Sequence, residues 1–529
     1  MSVRLAFHGA AGCVTGAAFR LTTPDADVLI DCGLFQGPKT LKALNYGAFP
    51  FDPGRLDAIL LTHAHLDHAG LIPKAMRAGF KGDVYATPET IALCAVMLPD
   101  AGKIQEMEVE QLNRRQRRRA RDVVTPIYTA QDAETALRLF REAPFDRWMS
   151  PAAGLRARWW RAGHILGSAS VEVEVTSGAS VQRLLFSGDL GPGGRDFSVD
   201  PQGPSGVDHL IIESTYGARA RALLTPAERR ATLADEVRAA HRAGGPLLIP
   251  AFAVERTQEL LVDLLAVMSE GLAPEGPIFL DSPLAIRATD VFLDHTPGDG
   301  AGANAFAAIA GARHLHFLES VGESRSLERV EGWHVIVAAS GMCDAGRIRH
   351  HLKRQLWRPQ ASVLLTGYQA VGTLGRLLVE GRDAVRVQGE TIAVRARIRQ
   401  VEVYSGHADG PGLVAWAKAR GPVAGGVFIT HGEPAESAGL VDALKAAGLS
   451  SASMFTPEID DAFMLSPGVL PQPVPPAGPR LPPHAAARLD WHNARAAFLV
   501  ELEAALADAR DDPARMALVT RLQDALRAT

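Results

Sequence analysis

A chain of 529 residues with 47% hydrophobic and 22% charged side chains is too long for one ordinary core, so two or three domains are expected. Its formal net charge of −4 excludes a global basic field for polyanions, although a local patch can still hold one. The four cysteines, Cys13, Cys32, Cys94 and Cys343, form no Cys-x-x-Cys pair, and no apolar run suits a membrane span or a secretion leader. A cytoplasmic protein with reduced thiols and no membrane contact is therefore expected.

Residues 3–7, 17–21 and 27–30 read as strands; a Gly-rich turn at 9–16 joins the first two, and the third ends in Asp31-Cys32-Gly33. Asp31, a carboxylate at a strand end, is suited to hold a ligand histidine by its second ring nitrogen. The apolar run 58–61 reads as a buried strand that opens directly into His63, His65, Asp67 and His68. If the chain stays extended past Leu61, then His63, His65 and Asp67 point to one side, and a turn near Gly70 swings His68 to a neighbouring position. Three imidazoles and a carboxylate within six residues have no good core explanation, and they suit zinc or a similar borderline metal. The strand-like spacing separates this stretch from the helical His-Glu-x-x-His motif.

Further on, 71–78 reads as a helix, 83–86 as a strand, and 88–98 and 102–120 as two helices. The basic run 113–121 at the end of the second helix reads as a solvated face or as a phosphate-contacting patch. Strands at 155–162, 170–176 and 184–187 lead to His164 and Asp189, each at a strand end beside glycines that allow close backbone approach. A strand at 208–212 ends in Glu213-Ser-Thr-Tyr-Gly217. Helices at 226–243, 255–268, 285–293, 346–356 and 373–380 then alternate with strands at 247–250, 278–280, 335–338 and 363–366, the pattern of a doubly wound sheet. The Gly/Ala-rich 297–312 reads as a loop or a loosely specified helix. A strand at 394–403 ends in Tyr404-Ser405-Gly406-His407-Ala408-Asp409, and after a helix at 411–419 the strand 426–430 ends in His431-Gly432-Glu433. Eight prolines from Pro467 to Pro483 predict an extended linker, and 491–527 has the apolar pattern of a helical hairpin that docks on the body or on a partner.

Seven strand-end ligands exceed the four that one tetrahedral zinc takes, so two metals are the economical reading. His63, His65 and His164 would hold one, Asp67, His68 and His431 the other, with Asp189 bridging. Two such metals lower the pKa of a shared water and neutralise charge on a phosphoryl group during in-line attack. The absence of thiolates fits a hydrolytic site better than a structural one.

In order and context, His63-Ala-His-Leu-Asp-His68 with Asp31, His164 and Asp189 resembles the motifs of the metallo-β-lactamase superfamily. Glu213-Ser-Thr-Tyr-Gly217, Phe252-Ala-Val-Glu-Arg-Thr-Gln258, Ser340-Gly-Met-Cys-Asp-Ala-Gly346, Gly367-Tyr-Gln-Ala-Val-Gly-Thr-Leu-Gly375, Ser405-Gly-His-Ala-Asp409 and Thr430-His-Gly-Glu433 resemble its β-CASP ribonuclease branch. Within that branch the chain is most similar to bacterial and archaeal relatives of the eukaryotic pre-mRNA 3′-end cleavage factor, over roughly residues 1–465. The resemblance implies an α/β fold: a four-layer αβ/βα sandwich from 1–212 and 394–466, interrupted by a Rossmann-like β-CASP insert at 213–393. A Pro-rich linker at 467–485 and a helical extension at 486–529 complete the chain.

The resemblance further implies two Zn2+, or Mn2+ in their place, single-stranded RNA as the substrate in processing or decay, and a homodimer. Glu213, His407 and His431 match the motifs A, B and C: His431 as a metal ligand, His407 as the proton donor to the leaving 3′ oxygen, and Glu213 as the group that orients it. Asp67 counts as both ligand and catalytic residue. Ser340 and Gly341, whose amides would open the following helix, are the expected phosphate cradle, with Arg347, His350 and His351 on that helix and Arg256 on another. One departure concerns the cleft rim: members of the branch often continue motif A with Asp, Arg and then His, where this chain has Ala218, Arg219, Ala220 and Arg221. The competing readings are a small-molecule hydrolase of the same superfamily, which needs no such insert, and a non-catalytic RNA-processing subunit, against which the intact ligands argue.

Overall fold

The computed structural model describes residues 3–117, 123–177, 180–194, 199–221, 224–295, 308–309, 311–369, 372–475, 478–482, 484–487 and 490–527. Two sheets lie face to face. The first has eight strands in the order Val469–Val474, Ala462–Ser466, Val3–Gly9, Ala18–Thr22, Asp27–Ile30, Ala58–Leu60, Asp83–Ala86 and Phe140–Glu142. It is antiparallel as far as Asp27–Ile30, through hairpins and the pairing of Val3–Gly9 with the distant Ala462–Ser466, and crossover connections make the rest parallel. The second has seven strands in the order Met454–Phe455, Gly426–Thr430, His209–Glu213, Ser180–Phe186, Ala169–Ser177, Leu155–Arg161 and Trp148–Ala152.

Alternating side chains bury Leu5, Phe7, Leu21, Val28 and Ile30 of the first sheet against Trp159, Val171, Val173, Phe186, Ile211 and Phe428 of the second. Helices cover the outer faces. Ile72–Arg77, Pro88–Arg117 and Ala130–Ala136 pack on the first sheet, Gly410–Ala419 and Pro434–Ala446 on the second. This is the expected four-layer αβ/βα sandwich.

The insert is a wholly parallel six-stranded sheet in the order Leu315–Phe317, Ile278–Leu280, His334–Ala338, Pro246–Pro250, Ser362–Leu365 and Arg397–Gln400. Its four inner strands are largely apolar runs with helices on both faces, as parallel sheets require, whereas the edge strand Arg397–Gln400 alternates arginine with apolar or polar residues. Helix Pro283–His295 packs on Pro88–Arg117 of the body, and Arg287 reaches Asp100 at 2.7 Å. One buried cluster runs from the body's helical layer into the insert.

Three local expectations are corrected. The helices expected at 88–98 and 102–120 are one helix, Pro88–Arg117, with Pro99 inside it. Loss of one backbone donor is tolerated there because Leu93, Cys94, Met97, Leu98 and Ala101 bury the helix on both sides of the proline. Of the basic run, 118–121 lie outside the described residues, and Arg114 pairs with Glu110 one turn away at 2.5 Å. The strand expected to return at 394–403 is the edge of the insert's sheet, because Arg397–Gln400 pairs in parallel with Ser362–Leu365.

The Pro-rich stretch is not wholly linker: Val469–Val474 pairs antiparallel with Ala462–Ser466 at the edge of the first sheet, where a proline's missing donor can face outward. After it, Arg480 grips Asp460 and the His8 carbonyl. Helices form at Trp491–Asp508 and Asp512–Arg527, and the start of the first bridges body and insert. Asp490 accepts from the Thr40 amide at 2.8 Å, and Asn493 donates to the Gly372 carbonyl at 3.3 Å.

Candidate metal centre

All the candidate ligands arrive at one end of the facing sheets. The strand Ala58–Leu60 stops short of His63, and at Leu66 the backbone turns into the four-residue helix Leu66–Ala69. This corrects the extended reading of the stretch. His63 and His65 remain together, whereas the helical turn, about 100° per residue, carries Asp67 and His68 towards a second group. Asp31-Cys32-Gly33 forms the shelf beneath that turn. Cys32 donates its amide to the His68 carbonyl at 2.7 Å, and a Cβ on Gly33 would lie 1.6 Å from the Asp67 carbonyl oxygen.

Hydrogen bonds decide which nitrogen each imidazole offers. Buried Asp31 accepts from the Thr62 amide at 2.8 Å, from the Thr62 hydroxyl at 2.9 Å and from His68 Nδ1 at 2.7 Å. His63 Nδ1 donates to Thr62 Oγ1 at 3.0 Å, and His164 Nδ1 to the Gly406 carbonyl at 2.8 Å. The hydroxyl of Thr215 donates to the His431 carbonyl and stands 3.2 Å from His431 Nδ1. In each case the proton rests on Nδ1 and Nε2 is left with its lone pair inward. His65 is reversed: its Nδ1 faces the others.

The inward atoms form two groups. In the first, His65 Nδ1 is 3.1 Å from His63 Nε2 and 3.2 Å from His164 Nε2, with Asp189 Oδ2 at 3.6 and 3.5 Å from those two Nε2 atoms. In the second, His68 Nε2 is 3.2 Å from His431 Nε2, and Asp67 Oδ2 is 3.6 Å from the latter. Asp189 Oδ1 lies 3.3 Å from His68 Nε2 and 3.5 Å from His431 Nδ1. One oxygen of Asp189 thus faces each group. All seven expected ligands are brought together: His63, His65, His164 and Asp189 form one cluster of ligand atoms, Asp67, His68 and His431 a second, and Asp189 joins Glu213 and His407 in a third.

The residues fit divalent cations. Nitrogen ligands about 2.0–2.1 Å from a tetrahedral zinc stand about 3.3 Å apart, close to the spacings here. Asp189 Oδ1 is buried and makes no hydrogen bond among the described residues. Burial, with the neighbouring His68 imidazole, holds His63 well below its ordinary pKa; burial and His407 do the same to His164, and burial lowers His65 to about 4. Burial pushes the Asp189 carboxyl up, but His431 and His68 outweigh it and hold it well below the carboxylate range. Asp67 is lowered against the same opposition by its bond to His431. His68 and His431 move upward: burial opposes this, and Asp189, with Asp31 or Asp67, prevails. Neutral imidazoles beside ionised carboxylates are the forms a metal binds, and displacing the proton of His68 couples binding to pH.

Glu213 and His407 stand beside this centre. Glu213 is buried at the end of its strand, where Oε1 accepts from the Leu190 amide at 2.6 Å and lies 3.2 Å from His407 Nδ1, while Oε2 accepts from the Thr215 amide. The His407 ring lies against His164 with centroids 4.4 Å apart and planes inclined at 43°, and its Nδ1 is 3.9 Å from Asp189 Oδ2.

The expected phosphate contacts are placed differently. The helix after Asp344 opens at Ile348, so Ser340 and Gly341 do not supply its first-turn amides. Gly341 packs on the Phe252 ring instead, and its carbonyl accepts from Gln369. Arg347 is committed to Asp281 at 2.6 Å and to the carbonyls of Leu318 and Glu319, with His351 also on Asp281 at 2.7 Å. Arg256 lies over the Phe252 ring and donates Nε to the Tyr404 carbonyl at 3.1 Å. Thr62 and Thr215 were not singled out from the sequence; their signal is a hydroxyl adjoining a ligand or motif carboxylate at a strand end.

Asp31→Asn should weaken metal binding about 10–100-fold, because Asn offers His68 Nδ1 a neutral acceptor in place of an anionic one. Competition against a chromophoric chelator measures this, and an unchanged affinity would remove Asp31 from the orienting role.

Among known proteins, the Metallo-beta-lactamase superfamily profile matches residues 11–232, the Beta-Casp domain 257–378, and the Zn-dependent metallo-hydrolase RNA specificity domain 391–457. Ribonuclease TTHA0252 of Thermus thermophilus is 36% identical over 439 residues, covering 82% of this chain and 93% of that protein. The RNase J-like protein of Methanocaldococcus jannaschii is 30% identical over 444 residues, 82% of this chain and 94% of the relative. The transcription termination factor FttA of the same archaeon is 28% identical over 465 residues, 84% of this chain and 69% of the factor. With ligand stretch, insert and returning segment matched in chain order, this chain belongs to the metallo-β-lactamase superfamily and, within it, to the β-CASP ribonucleases.

Proposed function

We propose that this protein hydrolyses phosphodiester bonds of single-stranded RNA with two divalent metals, zinc by ligand type. His63, His65 and His164 would hold one and Asp67, His68 and His431 the other, with Asp189 shared. The observation that carries this reading is that two ligand groups meet on the two oxygens of one carboxylate, with the His407–Glu213 pair adjoining. When bound, the metals lower the pKa of water and neutralise charge on the phosphoryl group.

The chain's own groups supply the rest. Glu213 holds Nδ1 of His407, leaving Nε2 to protonate the leaving 3′ oxygen, and the carboxylate stabilises the imidazolium before transfer. Asp67, 3.6 Å from His431 Nε2 and with its side chain 20% exposed, would orient the attacking water. The Phe252 ring, 6.4 Å from that of His65, brings the insert over the centre, and a cleft there too narrow for a duplex would favour unpaired strands. The RNA specificity domain matched at 391–457 and the ribonuclease relatives support RNA as the substrate.

The test is cleavage of an end-labelled single-stranded RNA by the purified protein. Exhaustive chelation should lower the rate by about 10³-fold or more, and Zn2+ or Mn2+ should restore it, with two metals per chain by elemental analysis. Cleavage that survives chelation would reject the metal mechanism, and hydrolysis of a lactone or lactam without RNA cleavage would favour a small-molecule hydrolase.

A further inference from the structure

The residues that carry His407 have little regular structure: the described strand before them ends at Gln400 and the next helix begins at Gly410. The position of that imidazole therefore depends on what grips the loop's backbone. Arg221 makes the widest set of contacts. Its guanidinium donates to the carbonyl of His407 itself and, at 3.4 Å, to that of Glu402, while its amide donates to Asp409 Oδ2 at 2.7 Å. The guanidinium also lies over the Tyr216 ring, 4.5 Å from the centroid, and Tyr216 presents a T-shaped contact to the His407 ring at 6.3 Å. The side chain thus ties the loop at Glu402 and at His407 and buttresses the imidazole through Tyr216, while the backbone amide of the same residue holds Asp409. Other contacts hold single points: Arg256 on the Tyr404 carbonyl, His164 on the Gly406 carbonyl, and the Ala408 amide on the Leu190 carbonyl.

We propose that Arg221 is a positioning residue for His407. By fixing the carbonyls on either side of Ser405-Gly406, it keeps Nδ1 on Glu213 and Nε2 aimed at the leaving oxygen. The inference rests on His407 being the general acid. A fork of donors on a rigid plane can serve two carbonyls and stack on an aromatic ring at once, which neither an imidazole nor an ammonium can do. Arg221 stands where the chain departs from the usual motif A continuation, so the clamp is a feature of this sequence.

The test compares two substrates. RNA leaves a ribose alkoxide that needs a proton, whereas bis(p-nitrophenyl) phosphate leaves an aryl oxide that is stable without one. Loss of general-acid function therefore shows on the first and hardly on the second. Arg221→Ala should lower kcat on RNA by about 10–100-fold with less than about threefold loss on the aryl ester, at unchanged metal content. Arg221→Lys should recover part of the RNA rate. Partial misfolding would lower both activities together, so the ratio isolates positioning.

His407→Ala, measured alongside, should show the same split. If His407→Ala loses both activities equally, the general-acid reading fails and the inference falls with it. If His407→Ala shows the split but Arg221→Ala lowers both substrates equally, or neither, the positioning role alone is overturned.

Discussion

Asp189→Asn should empty at least one metal position and lower RNA cleavage by about 10³-fold or more, the largest effect expected of a single isosteric change in this protein. The two carboxylate oxygens face different ligand groups, Oδ2 towards His63 and His164 and Oδ1 towards His68 and His431. Asparagine keeps the shape but offers one oxygen and an amide whose protons repel a cation. It also removes the charge that, against the opposing pull of burial, raises His68 and His431 above their ordinary pKa. Elemental analysis and steady-state rates on the same preparation measure both consequences. A variant that keeps two metals and the wild-type rate would refute the shared-carboxylate arrangement.

His407→Ala should separate chemistry from metal binding. A positioned general acid contributes about 10²–10⁴-fold, so kcat on RNA should fall within that range while metal content and thermal midpoint stay near wild type. The reason is geometric: His407 Nδ1 pairs with Glu213 at 3.2 Å and lies outside both imidazole groups. It packs against His164 in a tilted ring contact, so truncation removes that contact and the third member of the Asp189–Glu213–His407 cluster but none of the seven expected ligands. Loss of metal in this variant would move His407 from proton donor to ligand.

These expectations draw on sequence and fold unequally. The seven ligands were legible because a metal site demands particular side chains, and each stood at the end of an apolar strand. Their arrangement was less so. The extended reading placed Asp67 with His63 and His65, and only the helical turn at Leu66 shows why it faces His431. Arg347 looked available for phosphate because its neutralising partner, Asp281, lies just past a separate strand, sixty-six residues earlier. Pro471 and Pro473 argued against a strand, since local propensity does not reveal that a segment will sit at a sheet edge. Pro99 argued for a helix break that the surrounding burial overrides.

By itself the sequence indicated a nitrogen and oxygen ligand set of hydrolytic type and a run of parallel α/β units, and its resemblance to the β-CASP branch implied a sandwich split by that insert and a histidine and glutamate beside the ligands. Such features are written locally, in the residue types that follow each strand. Only the tertiary structure decided which ring nitrogen each histidine offers, how Asp189 divides its oxygens, which arginines are already neutralised and what holds the His407 loop. Those depend on contacts such as His68 with His431, 363 positions apart, and Arg221 with His407, 186 apart. The energies that select a tautomer or commit a guanidinium come from the groups packed around it, and chain order does not list those neighbours.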